Sequence, residues 1–251
     1  MKTNAWKSLL GFALIGALSS CEKQSVTDNG EGTMNEAHVA SLVAASLGGA
    51  QSTDGFATQI ERAACAAANE PLSKTSGPAQ VHGLAGDTVF TVQKDTGLAT
   101  YQYQCHYACD LNTADTLQYA YTAQGWLNAP QVSSVDTTVA NLTVANVAKH
   151  PSFPLLLNGS YVHRGAHTVK TSRPLSIRSQ IVATWRDVAV SRSTRQIAAG
   201  SGTCAVTGVT SNAATFTWYA TVSFQGNQQA IVVVGGKSFR VDLSKGEATP
   251  I

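Results

Sequence analysis

Ile231-Val-Val-Val-Gly-Gly-Lys-Ser-Phe-Arg-Val-Asp-Leu243 holds two short β-prone runs separated by two glycines. A Gly-Gly pair supplies the two positive-φ positions of a two-residue hairpin turn, so this stretch predicts an antiparallel β-hairpin. The same segment excludes a phosphate-binding loop at Gly235-Gly-Lys-Ser238. Ile231 stands where the first glycine of that motif is required, and no strand-to-helix turn is indicated.

Working outward, the two-residue period persists upstream. Phe216, Trp218, Ala220, Val222 and Phe224 alternate with Thr217, Tyr219, Thr221 and Ser223, and Gly226-Asn227 marks a turn. Leu117, Tyr119, Tyr121 and Ala123 alternate with Gln118, Ala120, Thr122 and Gln124, and Tyr101, Tyr103, Cys105, Tyr107 and Cys109 alternate with polar neighbours. One apolar-aromatic face and one polar face describe an antiparallel sheet wetted on one side. Val135, Thr137 and Val139 occupy odd positions whereas Leu142 and Val144 occupy even ones, which predicts a β-bulge near Ala140-Asn141. Counting runs and turns gives roughly eight to ten strands in a meander.

Before Asp87 the period is helical. Thr33-Met-Asn-Glu36 reads as a capping box with Thr33 as N-cap. It opens a helix in which Ala37, Leu42, Val43 and Leu47 share a face until Gly48-Gly49. A second helix is predicted from about Gly55 to Asn69, stopped by Pro71. Helices this short and alanine-rich are marginal alone, so they must dock on the sheet. The fold class is therefore mainly β: a single twisted antiparallel sheet or partly open barrel with one or two N-terminal helices packed on it.

The N-terminus has a different character. Lys2 and Lys7 precede an apolar run from Leu9 to Leu18, and the small residues Ser19 and Ser20 follow. This is the layout of a secretory signal, and its core is too short to span a bilayer, which takes about 20 residues. Leu18-Ser19-Ser20-Cys21 resembles the lipobox of bacterial lipoproteins. The resemblance implies cleavage before Cys21, lipid attachment to its sulfur, and membrane anchoring through acyl chains. The polar run from Glu22 to Gly32 reads as a flexible tether. Glu22 is not the aspartate associated with inner-membrane retention, so the expected address is the cell envelope at the outer membrane, facing the periplasm or the surface. The expected organisation is a signal over residues 1–20, a tether over 21–32 and one β-rich domain over 33–251, with its helices within 33–70. Cutting before Cys21 removes two of the 17 Lys+Arg and no acid, which leaves the mature chain formally neutral against 15 Asp+Glu. With no basic block, nucleic acid is not an expected partner.

The order of lipobox, helix ending in Gly-Gly, tyrosine-rich strand ending in cysteine, Asn158-Gly-Ser-Tyr-Val-His-Arg-Gly165 and the closing hairpin resembles β-rich lipoproteins of Bacteroidetes-type bacteria. That likeness implies architecture and address and no particular activity. Asp87-Thr-Val, Asp115-Thr-Leu and Asp136-Thr-Thr also resemble the Asp-Ser/Thr-apolar acceptor pattern for O-glycosylation in some of those bacteria.

Four cysteines remain beyond Cys21, and an even number in an exported chain predicts two disulfides. Cys105 and Cys109 would lie ~13 Å apart on an extended strand, too far to bond. The expected pairs are Cys65–Cys109 and Cys105–Cys204, with the exchanged pairing close behind. No catalytic residue is predicted, since the chain has no Gly-x-Ser-x-Gly elbow and no paired carboxylates. No metal ligand and no cofactor are predicted either. Strand parity separates His106 from Cys105 and Cys109, and His163 and His167, interrupted by Gly165 and without an evident carboxylate, read as surface histidines. Two functional classes follow. One is a non-enzymatic envelope protein that binds a protein or glycan or serves structurally. The other is a carrier of lipid or another amphiphile with a half-barrel cavity of the Lol type, its ligand facing Tyr101, Tyr103, Tyr119, Phe216 and Trp218.

Overall fold

The computed structural model describes residues 33–48, 55–69, 85–93, 99–110, 115–170 and 174–251. Cys21, with the signal and tether readings, lies outside them. Two helices, α1 (Glu36–Leu47) and α2 (Phe56–Asn69), precede eleven strands. The strands are β1 (Ala85–Gln93), β2 (Ala99–Asp110), β3 (Thr116–Asn128), β4 (Val132–Ala145), β5 (Leu155–Val169), β6 (Leu175–Val190), β7 (Ile197–Thr210), β8 (Thr215–Gly226), β9 (Gln229–Val234), β10 (Lys237–Asp242) and β11 (Glu247–Pro250). They form one sheet in strict sequence order, each strand antiparallel to the next. The meander is a consequence of the turns, because short connections allow only neighbouring antiparallel strands to pair. The Gly-Gly hairpin is as predicted: Val234 pairs with Lys237, and Gly235 and Gly236 take φ of 58° and 80°.

The sheet rolls around α1. The helix touches β4 and β5 on one side and β9, β10 and β11 on the other. Gln131, in the β3–β4 turn, uses its side-chain amide to bond both the N–H and the carbonyl of Ala248 on β11, at 3.0 and 3.2 Å. A turn next to the fourth strand thus completes the ladder of the eleventh. Lys237 on β10 pairs with Glu36 at 3.2 Å and fixes the start of α1 against the last hairpin.

This enclosure changes the reading of α1. Every residue from His38 to Leu47 is buried, so only Glu36 and Ala37 of the first turn reach solvent, and Ala37 is not on the buried face expected for it. Its sequence after Glu36 carries no carboxylate or ammonium, which is what an all-round apolar environment requires. The N-cap is Asn35, not Thr33. The Asn35 side chain accepts from the His38 N–H at 3.0 Å, and His38 Nδ1 accepts from the Asn35 N–H at 3.3 Å. Histidine at the third position does the work that Glu36 was expected to do.

Phe56 opens α2 and anchors it. Its ring stacks on Trp185 at 4.2 Å and meets Tyr161 edge-on at 6.0 Å. Trp185 in turn lies 5.6 Å from Phe224, so α2 is seated over β5, β6 and β8 by aromatic contacts.

The predicted bulge near Ala140-Asn141 is absent. β4 pairs with β3 and β5 without a register shift, and its even positions point inward from Val132 to Val144. Val135 and Val139 are instead outward, at 68% and 47% exposure. A bulge lies instead in β6, where Asp187 takes φ of 50° and the buried positions switch from odd to even between Trp185 and Val188. The Asp187 N–H released from the ladder bonds Asn158 Oδ1 at 2.9 Å.

The outer face of the described strands is mostly polar, apart from the exposed Trp126–Val135 pair and a longer apolar row. Val139, Val162, Val182, Ala205 and Tyr219 are direct cross-strand neighbours from β4 to β8 and form an apolar row across the sheet. Tyr219 is 73% exposed.

The cysteines depart from expectation. Cys105 and Cys204 are buried free thiols, on β2 and β7, five strands apart in the sheet order. Five strand-to-strand steps separate them, and no disulfide joins them. The side chains of Cys65 and Cys109 lie outside the described residues. Burial pushes the Cys204 thiol up to about 12. Burial also raises that of Cys105, opposed by the Tyr119 hydroxyl and Arg62. Neither sulfur is a thiolate at neutral pH. Native protein treated with iodoacetamide should therefore show Cys105 and Cys204 unmodified by peptide mapping, and both should alkylate after unfolding without a reductant. A disulfide-linked peptide containing either would contradict this arrangement.

Candidate functional site

Among the described residues, the inner face holds a concentrated polar cluster on β4 and β5 beneath α1. Inward parity on β4 places Ser134, Asp136 and Thr138 on the core side, and inward parity on β5 places Tyr161, His163 and His167 there. All six are buried. Six polar or amphipathic side chains on the core face of two central strands are not a packing solution, since burial of such groups is unfavourable without partners.

Gly165 makes the convergence possible. It lies between the two histidines on the same face of β5 and pairs directly with Asp136. A Cβ there would come within 2.5 Å of the Val135 carbonyl oxygen and 2.6 Å of Asp136 Cβ. The histidine ring centroids on either side of Gly165 are 5.4 Å apart, and the close approach of β4 there brings the Asp136 carboxylate beside them.

The cluster is ordered by hydrogen bonds. Thr138 Oγ1 meets His163 Nδ1 at 3.0 Å, which directs Nε2 toward Asp136 Oδ2 at 3.7 Å. The Ser134 hydroxyl donates to the same carboxylate oxygen. The Tyr161 ring stacks parallel to that of His163 at 6.0 Å, while its hydroxyl donates to the Ser46 carbonyl of α1 at 3.3 Å. His167 is different: its Nε2 is buried and has no hydrogen-bond partner among the described residues. Burial, with His163 as a second cause, lowers its pKa to about 3, so His167 is a neutral imidazole under ordinary conditions.

Asp136, His163 and His167 offer three ligand atoms that all lie within 4.8 Å of one another. The cavity between them and α1, lined also by Leu42, Ala45 and Tyr161, has a volume of about 10 Å³. That is room for one water or a small ion, and too little for an acyl or glycosyl substrate. Ser134 and His167 also border a second, open groove of about 650 Å³, walled by Val135, Ile177, Arg178 and Val209. No protein-family model, no curated protein and no solved structure matches the chain.

The residues singled out from the sequence are distributed differently. Tyr119 is a core residue, 4% exposed, whose hydroxyl lies 3.4 Å from both Gln59 of α2 and Cys105 Sγ. Phe216 and Trp218 are half-buried against the same core, and the side chains of Tyr101 and Tyr103 lie outside the described residues. His163 and His167 are not surface histidines, and a carboxylate does stand beside them. Asp136-Thr-Thr, the third acceptor-like triplet, sits mid-strand with Asp136 turned inward. The missed signal was phase continuity. Val132, Leu142 and Val144 are all even, so an unbroken strand puts Ser134, Asp136 and Thr138 on the core face.

Proposed function

We propose that the chain is a lipid-anchored protein of the cell envelope, held through Cys21, whose β body serves a non-enzymatic binding or structural role. The observation that supports it best is that helices fill the inner surface of the sheet. α1 is buried all round from His38 to Leu47, Phe56 of α2 is stacked on Trp185, and the cavity beneath α1 holds only about 10 Å³. A carrier of lipid or another amphiphile calls for an enclosed ligand space of ~300–1,000 Å³ lined by apolar groups, whereas the groove of about 650 Å³ is open and lined in large part by Ser133, Thr168, Ser176 and Ser211. Here Tyr119 packs against α2, and Phe216 and Trp218 lean on the common core. Recognition on this reading uses the outer face, where the apolar row from Val139 to Tyr219 crosses five strands.

The anchor and the body are tested together. Cys21→Ser is expected to move the protein from the membrane fraction to the soluble fraction of the envelope while leaving its circular dichroism unchanged. Native mass spectrometry of the released protein should give the mass of the chain alone. Retention in the membrane would remove the anchor from the proposal. A co-purifying amphiphile would replace the binding or structural reading with the carrier.

A further inference from the structure

We propose that Asp136, His163 and His167 form a binding site for one divalent transition-metal ion, held between β4 and β5 beneath α1. Two imidazoles and a carboxylate present ligand atoms within 4.8 Å of one another. Metal–ligand bonds of ~2.0–2.2 Å place tetrahedral ligand atoms about 3.4 Å apart, so side-chain rotations of about 1 Å close the set. Gly165 lets β4 approach closely enough to hold Asp136 beside the two imidazoles.

The partners around the three residues are those a metal site uses. A ligating imidazole characteristically engages its other nitrogen with a fixed partner, and carboxylate ligands are themselves hydrogen-bonded. Thr138 holds His163 Nδ1 at 3.0 Å, leaving Nε2 facing Asp136, and Ser134 donates to Asp136. The second observation is independent: His167 is 4% exposed, lines the cavity, and has an Nε2 with no hydrogen-bond partner among the described residues. An orphaned nitrogen in so enclosed a place calls for a ligand.

Space points the same way. About 10 Å³ suits an ion with at most one water. Imidazole with carboxylate selects zinc, iron, nickel or copper over calcium and magnesium, which prefer all-oxygen shells. Entry runs through the open groove, which shares Ser134 and His167 with the cavity. The competing occupant is a single buried water bonded to His167.

The probe is Co²⁺, whose visible absorption reports coordination directly. Full-length protein without a histidine tag is stripped with chelator and titrated. The expected result is a visible band that saturates at one ion per chain and is bleached by Zn²⁺. Asp136→Asn and His167→Leu should abolish the band, Thr138→Val should weaken affinity about 10–100-fold, and His150→Ala, altering an exposed histidine, should leave it unchanged. The wild-type titration decides the matter even where a variant folds poorly. Absence of a saturating band assigns the cavity to water and overturns the site, as does a band that survives in folded Asp136→Asn and His167→Leu.

Discussion

Trp185→Ala is expected to lower the free energy of unfolding by about 3–5 kcal/mol, the range for deleting a fully buried large aromatic. Trp185 is 1% exposed and forms the floor on which Phe56 stacks at 4.2 Å, with Phe224 at 5.6 Å. Its removal empties the junction between α2 and three strands. The site cannot collapse to fill the gap, because Gly202, directly opposite on β7, has no side chain to move in. A Cβ on Gly202 would sit 2.2 Å from the indole Cε3, so the glycine exists to admit the ring. Domains hold only about 5–15 kcal/mol in total, so a loss of this size is a large share of the stability. Trp185→Phe should cost clearly less than lost volume suggests. The indole Nε1 is buried with no hydrogen-bond partner among the described residues, and its deletion recovers part of that penalty, on the order of 1–3 kcal/mol. Urea titration of the three proteins checks both statements, and a Trp185→Ala midpoint equal to wild type would refute the first.

The second large effect is expected at Gly165. Gly165→Ala adds one methyl where the nearest atoms are backbone and Cβ of β4, at 2.5 and 2.6 Å. Neither can retreat like the end of a flexible side chain. β4 and β5 must separate locally, and the expected destabilisation is about 1–3 kcal/mol, the range for overpacking. The functional consequence is larger than the energetic one. Prying apart the Asp136–Gly165 pair moves the carboxylate away from both imidazoles, so Co²⁺ absorption should be lost although far-ultraviolet circular dichroism stays native. A variant that keeps both stability and the cobalt band would show that the close approach of β4 at Gly165 is not what gathers the cluster.

The sheet was legible where its inner face is apolar. β3 and β8 follow the alternation of Leu117 to Ala123 and Phe216 to Phe224 residue by residue, and the final hairpin forms at its two glycines. β4 was misread for the converse reason. Periodicity treats apolar residues as core markers, and in β4 the outward positions include Val135 and Val139 while Ser134, Asp136 and Thr138 are inward. A strand that carries a buried polar cluster inverts its own signal in the middle and restores it at its ends. The apparent phase slip marked the polar cluster, not a kink. The bulge at Asp187 had an audible signal as well: Ile181, Ala183 and Trp185 are odd, Val188 and Val190 even. The enclosure of α1 was not readable, because it depends on how far an eleven-stranded sheet rolls. That roll is fixed by contacts such as Gln131 with Ala248, 117 residues apart in the chain.

The position of α1 also dictates an order of events in folding. The helix precedes every strand in the chain, yet it is walled on one side by the last three, and its Glu36 pairs with a lysine 201 residues away. Direct closure of a loop that long costs about 5 kcal/mol of chain entropy before any contact compensates for it. Adding strands hairpin by hairpin avoids that cost, since each step closes only a short turn. The sheet is therefore the template, and α1 is captured last, when β9, β10 and β11 swing over it. Until the final twenty or so residues are in place, a helix with no charge beyond Glu36 has one flank without cover. Any chain that stops short of them exposes that flank, which makes premature termination an aggregation hazard out of proportion to the length lost.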